Sequence, residues 1–157
     1  MRLMIRRLAL VALVASFFLM WKAQTDQDVL GAQTPKPIMM TRIYTGADGQ
    51  SHADEVEMKL NDGNTEMMKA TGVQFSRRAP STNGDWHTGP RRQYVITISS
   101  RAEIEVAGGQ KVAIGPGYIN LIEDTTGKGH ITRNLGPDNR VVITIPLENQ
   151  TPTIAAR

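Results

Sequence analysis

Arg91 and Arg92 stand side by side in Thr88-Gly-Pro-Arg-Arg-Gln-Tyr94, at the start of a β-prone run. Guanidinium forks bind carboxylates through paired hydrogen bonds, so the two invite an anionic small-molecule ligand. In the blander alternative one of them lies outside and pairs with Glu103 or Glu105 on the next strand. The chain has three histidines, His52, His87 and His130, and no cysteine. Disulfides, thiolate nucleophiles and Cys-based zinc or iron–sulfur centres are therefore excluded. The compartment is not settled by that, because an exported protein need not carry disulfides. His52, beside Ser51 in a turn-rich stretch, reads as a surface residue. Gly127-Lys128 has no glycine-rich loop ahead of it to cradle a phosphate, and no serine sits on a nucleophile elbow. The eight methionines are scattered and make no metal-binding series.

The elements that must position these residues are short strands. Thr41–Thr45 is β-prone and runs into the turn cluster Gly46-Ala-Asp-Gly49. Val56, Met58 and Leu60 alternate with Glu57 and Lys59, predicting a half-buried strand closed by Asn61-Asp-Gly63. Val73 and Phe75 begin another strand, and Arg78 to Pro90 reads as a long polar loop. Gln93–Ser99, Ala102–Ala107 and Gln110–Ile114 follow, with Gly108-Gly109 as a two-residue hairpin turn. Ile104 and Val106 alternate with Glu103 and Glu105, so that one face is wet. Tyr118–Ile122, Gly129–Arg133 and Val141–Pro146 bring the total to about nine strands, with no convincing helix after the hydrophobic N-terminal segment. Such a series favours a closed barrel or jelly roll over an open sheet.

The N-terminus is of another kind. Arg2, Arg6 and Arg7 precede the uncharged apolar run Leu8 to Trp21, which is short for a membrane span but suits a signal-peptide core. Residues 1–23 are therefore expected to be a signal peptide or an uncleaved membrane anchor, making the protein periplasmic or membrane-tethered. The alternative is a cytoplasmic protein whose translation starts at Met39 or Met40. Residues 24–39 read as an extended linker, 40–147 as the barrel and 148–157 as a loose tail. The formal charge is +3. Residues 1–32 carry four basic and two acidic side chains, so the rest of the chain holds only +1. A nearly neutral domain lacks the electrostatic footprint of a nucleic-acid binder.

Trp86-His-Thr-Gly-Pro-Arg-Arg-Gln-Tyr-Val-Ile-Thr-Ile-Ser-Ser100 resembles the first sequence motif of the cupin family. In that motif two histidines spaced by one residue precede a glutamate, a strand and a glycine. His87 falls on the first histidine, while Gly89, Gln93 and Ser100 stand at the places of the second histidine, the glutamate and the glycine. Gly115-Pro-Gly117 followed by His130 and Asn134 resembles the second motif, with a loop two residues longer than usual. The likeness spans about Trp86 to Leu147, and more loosely Thr41 to Phe75. It implies an all-β fold, a single cupin-type jelly-roll barrel behind the hydrophobic leader.

Cupins often hold one divalent ion with three histidines and a glutamate inside the barrel. The resemblance implies His87, Gln93 and His130 as metal ligands here, for iron, manganese, zinc or nickel. Two imidazoles and an amide oxygen offset none of the ion's charge, so a carboxylate is needed, and Glu123 or Asp124 is nearest in sequence. Glu123 faces the core if Ile119 and Leu121 do, and water if Tyr118, Asn120 and Ile122 do. The other reading of His87 and His130 is a pair of polar residues at the mouth of a metal-free pocket. Trp86, Arg91, Tyr94 and Asn134 are the candidate ligand-binding residues. Alternation sets Arg91, Gln93, Val95 and Thr97 on one face, and Arg92, Tyr94, Ile96 and Ile98 on the other. By the cupin pattern the first face looks into the cavity. The second is apolar and is expected to pack on another sheet or on a partner subunit, in keeping with the homodimers that many cupins form. Three functions follow: a metal-dependent enzyme on small organic acids or sugars, a metal-free ligand-binding module, or a tethered structural domain.

Overall fold

β-branched side chains dominate the two strands at the centre of the molecule. β4 (Gln93–Ser99) reads Gln-Tyr-Val-Ile-Thr-Ile-Ser, and β9 (Arg140–Pro146) reads Arg-Val-Val-Ile-Thr-Ile-Pro. Stiff branched side chains suit a pleated surface. The two strands pair antiparallel from Gln93 opposite Pro146 to Ser99 opposite Val141. A computed structural model describes residues 36–81 and 83–151. The expected leader at 1–23 and most of the linker at 24–39 lie outside the described residues.

Around that centre lie β1 (Met39–Thr45), β2 (Ser51–Glu57), β3 (Gln74–Arg78), β5 (Arg101–Glu105), β6 (Lys111–Ile114), β7 (Ile119–Glu123) and β8 (Ile131–Leu135). They form a six-stranded sheet in the order β2-β1-β7-β4-β9-β3 and a three-stranded sheet in the order β6-β5-β8. All neighbours are antiparallel except β1 and β7, which run parallel with Thr41 opposite Asn120 and Tyr44 opposite Glu123. The protein is an all-β jelly roll of two facing sheets, and no α-helix occurs among the described residues. Acidic side chains on the edge strand β2 (Asp54, Glu55, Glu57) and basic ones on the edge strand β3 (Arg77, Arg78) discourage pairing with other chains.

The interior between the sheets is built from alternate residues of facing strands. Ile43 and Ile122 of the large sheet meet Ala102, Ile104 and Ile114 of the small one and Val106, which follows β5. Each large aliphatic side chain buried there contributes about 1.5–3 kcal/mol. The outward face of the small sheet is wet as expected: Glu103 and Glu105 pair with Arg133 at 3.3 and 2.7 Å, and Lys111 reaches Glu103 at 3.0 Å. Arg91 and Arg92 take no part in those pairs.

Several local expectations shift. The strand expected over Val56–Leu60 is β2, which begins at Ser51. The turn closed by Gly46 N–H donating to Gln50 O returns the chain at once, so pairing starts with Ser51 opposite Thr45. The loop at Gly108-Gly109 takes in Ala107 as well, a single 3-10 turn over Ala107–Gly109. On the apolar outer face of the large sheet the chain packs against its own side chains. Tyr94, Leu121, Met40 and Leu147 cluster there with Val56, Met58 and Ile145 of the same chain, while Ile98 is about half exposed and Phe75 of β3 more so. The start of the expected loose tail is tied down: Glu148 N–H donates to Lys69 O, and Gln150 Oε1 accepts from Arg92 N–H.

Candidate functional site

Pleating aims every second residue of a strand at one face. Gln93 and Val95 of β4, Asn120 and Ile122 of β7, and Arg140, Val142 and Thr144 of β9 all point between the sheets. Thr132 and Asn134 of β8 answer from the small sheet. Together they wall a cavity of about 380 Å³, with His87, His130 and Arg78 also on its lining. The volume lies in the range of small-ligand sites.

The two histidines meet through their backbones. His87 N–H donates to His130 O, and His130 N–H to His87 O, both at 2.9 Å. Gly129 makes this possible: its φ is +75°, and a Cβ there would stand 2.1 Å from His87 O. The rings lie 4.6 Å apart between centroids. His87 Nδ1 contacts Asp85 O at 2.9 Å, and His130 Nδ1 contacts Asp124 Oδ2 at 2.6 Å. In each ring Nδ1 is engaged by the protein, which leaves Nε2 as the nitrogen available to the cavity.

Glu123 goes elsewhere. Asn120 and Ile122 face the cavity, so Leu121 and Glu123 take the other side of the sheet, where the expectation was water. That side is buried. Arg42 Nε meets Glu123 Oε2 and Arg92 Nε meets Oε1, each at 2.6 Å, and all three side chains are at most 5% exposed. The Arg42 guanidinium also lies 4.1 Å over the Tyr44 ring. Removing one member of such a buried group typically costs about 3–5 kcal/mol. Both carboxylate oxygens serve the far face of the large sheet, so Glu123 supplies no donor to the cavity. Asp124 does not line the cavity; its Oδ2 meets His130, and its Oδ1 is buried with no hydrogen-bond partner among the described residues.

The remaining expected site residues divide. His87, Gln93, His130 and Asn134 converge on the cavity. Arg91 does not. The chain bends through Pro90–Arg92 before β4 begins, so strand alternation does not extend back to it, and it is exposed. Tyr94 lies on the opposite face with its hydroxyl 3.4 Å from Met68 Sδ, and burial pushes its phenol pKa up. Trp86 is 36% exposed at the surface, with Lys128 Nζ 4.0 Å over its ring. His52, expected at the surface, contacts Asp48 at 3.1 Å and is partly exposed.

Three contributors escaped the sequence reading: Arg140, Arg78 and Asn120. Arg140 sits one residue before the strand expected at Val141, yet shares the inward parity of Val142 and Thr144. That parity was the available signal. Arg140 is 6% exposed, its Nη1 donates to Thr97 Oγ1 at 3.3 Å, and its Nε has no partner among the described residues. Burial, and then the charge of Arg78, push its pKa down.

A divalent ion fits this lining poorly. The donors offered are two imidazoles and neutral amides, the two charged groups are arginines, and no carboxylate faces inward. Among the described residues no three His, Cys, Asp or Glu side chains gather closely enough to hold a metal. A histidine at position 89 has no room either, because a Cβ on Gly89 would stand 2.5 Å from Ile122 Cγ2.

No protein-family model matches the sequence, and no curated protein matches it. Among solved structures, the ethanolamine utilization protein Q of Salmonella typhimurium LT2 aligns over 74% of this chain and 100% of its own. The identity is 12% and the TM-score 0.34. What makes this chain a jelly roll is its own strand order and register, two sheets closing on one polar cavity.

Proposed function

We propose that this chain is a cupin-type pocket protein that holds a small polar molecule directly, with no metal ion between protein and ligand. The observation that carries this reading is the composition of the cavity wall. Amides, imidazoles and two guanidinium groups face inward, while the Glu123 carboxylate is committed to Arg42 and Arg92 and Asp124 Oδ2 to His130. Such a wall repels a dication and hydrogen-bonds an organic ligand. Residues 1–23, basic and then apolar, serve to export the barrel or anchor it at a membrane.

Elemental analysis of the full-length protein, expressed with metals available and never exposed to chelator, tests the proposal. The expected result is no stoichiometric metal and unchanged thermal stability on adding EDTA. About one equivalent of iron, manganese, zinc or nickel, lost in His87→Ala and His130→Ala, would restore the metal-dependent enzyme instead.

A further inference from the structure

Four buried side-chain atoms lack a hydrogen-bond partner among the described residues: Arg140 Nε, Asn120 Oδ1, Asn134 Oδ1 and Asp124 Oδ1, the first three on residues that line the cavity. Arg140 Nε is a donor with no acceptor, and Asn120 Oδ1 is an acceptor with no donor, among the described residues. Arg140 is 6% exposed and Asn120 1%. A buried polar group left unpaired costs about 1–3 kcal/mol, and more when it is charged. Among the described residues the one hydrogen-bond partner of Arg140 is the neutral Thr97 hydroxyl, and the other charged side chain on the lining is a second cation, Arg78. Asn120 has a fixed orientation, because its Nδ2 donates to Val95 O at 3.4 Å and so turns Oδ1 away from the strand.

An arginine edge made of Nε–H and an Nη–H matches the two oxygens of a carboxylate. A carbonyl oxygen such as Asn120 Oδ1 accepts from a hydroxyl. Between them the walls are aliphatic, with Val95, Ile104, Ile114, Ile122 and Val142. We infer that the cavity binds a small hydroxycarboxylic acid, its carboxylate on Arg140 and its hydroxyl donating to Asn120 Oδ1. Arg78 adds long-range attraction for the same charge, and the aliphatic walls receive a short hydrocarbon body. This inference rests on the metal-free pocket reading and narrows it to one ligand class. The cavity that the family pattern would fill with a cation is thereby turned over to an anion.

Calorimetric titration of the full-length protein tests it. The probes are lactate, 3-hydroxybutanoate and malate, their deoxy partners propanoate, butanoate and succinate, the neutral lactamide, inorganic phosphate, and the uncharged polyols glycerol and glucose. At least one hydroxy acid is expected to bind about tenfold or more tighter than its deoxy partner, its amide and phosphate. Arg140→Gln should abolish that binding, and Asn120→Leu should erase the preference for the hydroxyl. Where Arg140→Gln fails to fold, the wild-type probe series decides alone. Equal affinity for lactamide and lactate, equal affinity for deoxy and hydroxy acids, or tighter binding of phosphate overturns the inference and leaves the pocket reading standing. Binding of only the polyols does the same. Silence from every probe, charged and neutral, overturns both.

Discussion

Asp124 Oδ2 lies 2.6 Å from His130 Nδ1, with both side chains buried, and this contact fixes which ring nitrogen of His130 is left for the cavity. A carboxylate can only accept a hydrogen bond, so Nδ1 carries a proton and donates it, and Nε2 is the nitrogen left for the cavity. Asp124→Asn presents an amide that can donate to Nδ1 and reverse that arrangement. The variant is expected to lose about 1–3 kcal/mol of stability and to move the ring proton to Nε2. Nitrogen-15 NMR of the imidazole reads the tautomer directly. A wild-type spectrum with the proton already on Nε2 would refute the assignment.

Gly89 stands where the cupin pattern has a second histidine, and restoring that histidine should not restore a metal centre. The Cβ it adds would lie 2.5 Å from Ile122 Cγ2 and 3.5 Å from Asp124 Oδ1. The inserted ring must then push into a packed wall, at a cost of about 1–3 kcal/mol. Gly89→His is expected to melt earlier than the parent and to bind zinc or iron no better, as measured by calorimetry with either ion. Metal binding gained by this one substitution would mean that the wall yields and that the arginines do not repel the ion.

Tyr94 is expected to govern stability at high pH and to leave the cavity untouched. Burial raises its phenol pKa above the ordinary 10.0; Arg92 opposes the shift and Glu123 adds to it. A phenol held protonated in the fold titrates more readily in the unfolded chain. Its contribution is therefore complete below pH 10.0 and is lost as pH rises towards the folded value. Tyr94→Phe gives up the weak contact with Met68 Sδ, about 1 kcal/mol or less at neutral pH. Melting curves over an alkaline series should show a shallower decline for the variant than for the parent. An identical decline in both would count against buried Tyr94 as the cause, and a changed ligand affinity would place it in the pocket after all.

How much of this was legible in the chain varies by element. The strands from Gln93 to Pro146 follow from their β-branched composition and the glycines between them, since a strand needs only local patterning. β2 was displaced because the Val56–Leu60 alternation is real but weaker than the turn at Gly46–Gly49, which forces pairing to begin at Ser51. His87, Gln93, His130 and Asn134 were singled out because their spacing resembles a known motif, and all four line the cavity. Arg91 was misplaced because strand parity was carried across a bend.

By itself the sequence determined the all-β class, the strand series and the parity of residues along each strand. Only the tertiary structure decided which parity faces the cavity. In β7, Ile119–Glu123, four of the five residues are buried, on both faces of the sheet. A period of two distinguishes sides only when one side is wet. Here an apolar cluster with the Arg42–Glu123–Arg92 group covers the far face, so Asn120 and Glu123 read alike in sequence. Packing alone separated them, sending Asn120 to the cavity and Glu123 away from it, and leaving the buried charge of Arg140 with no carboxylate among the described residues to answer it.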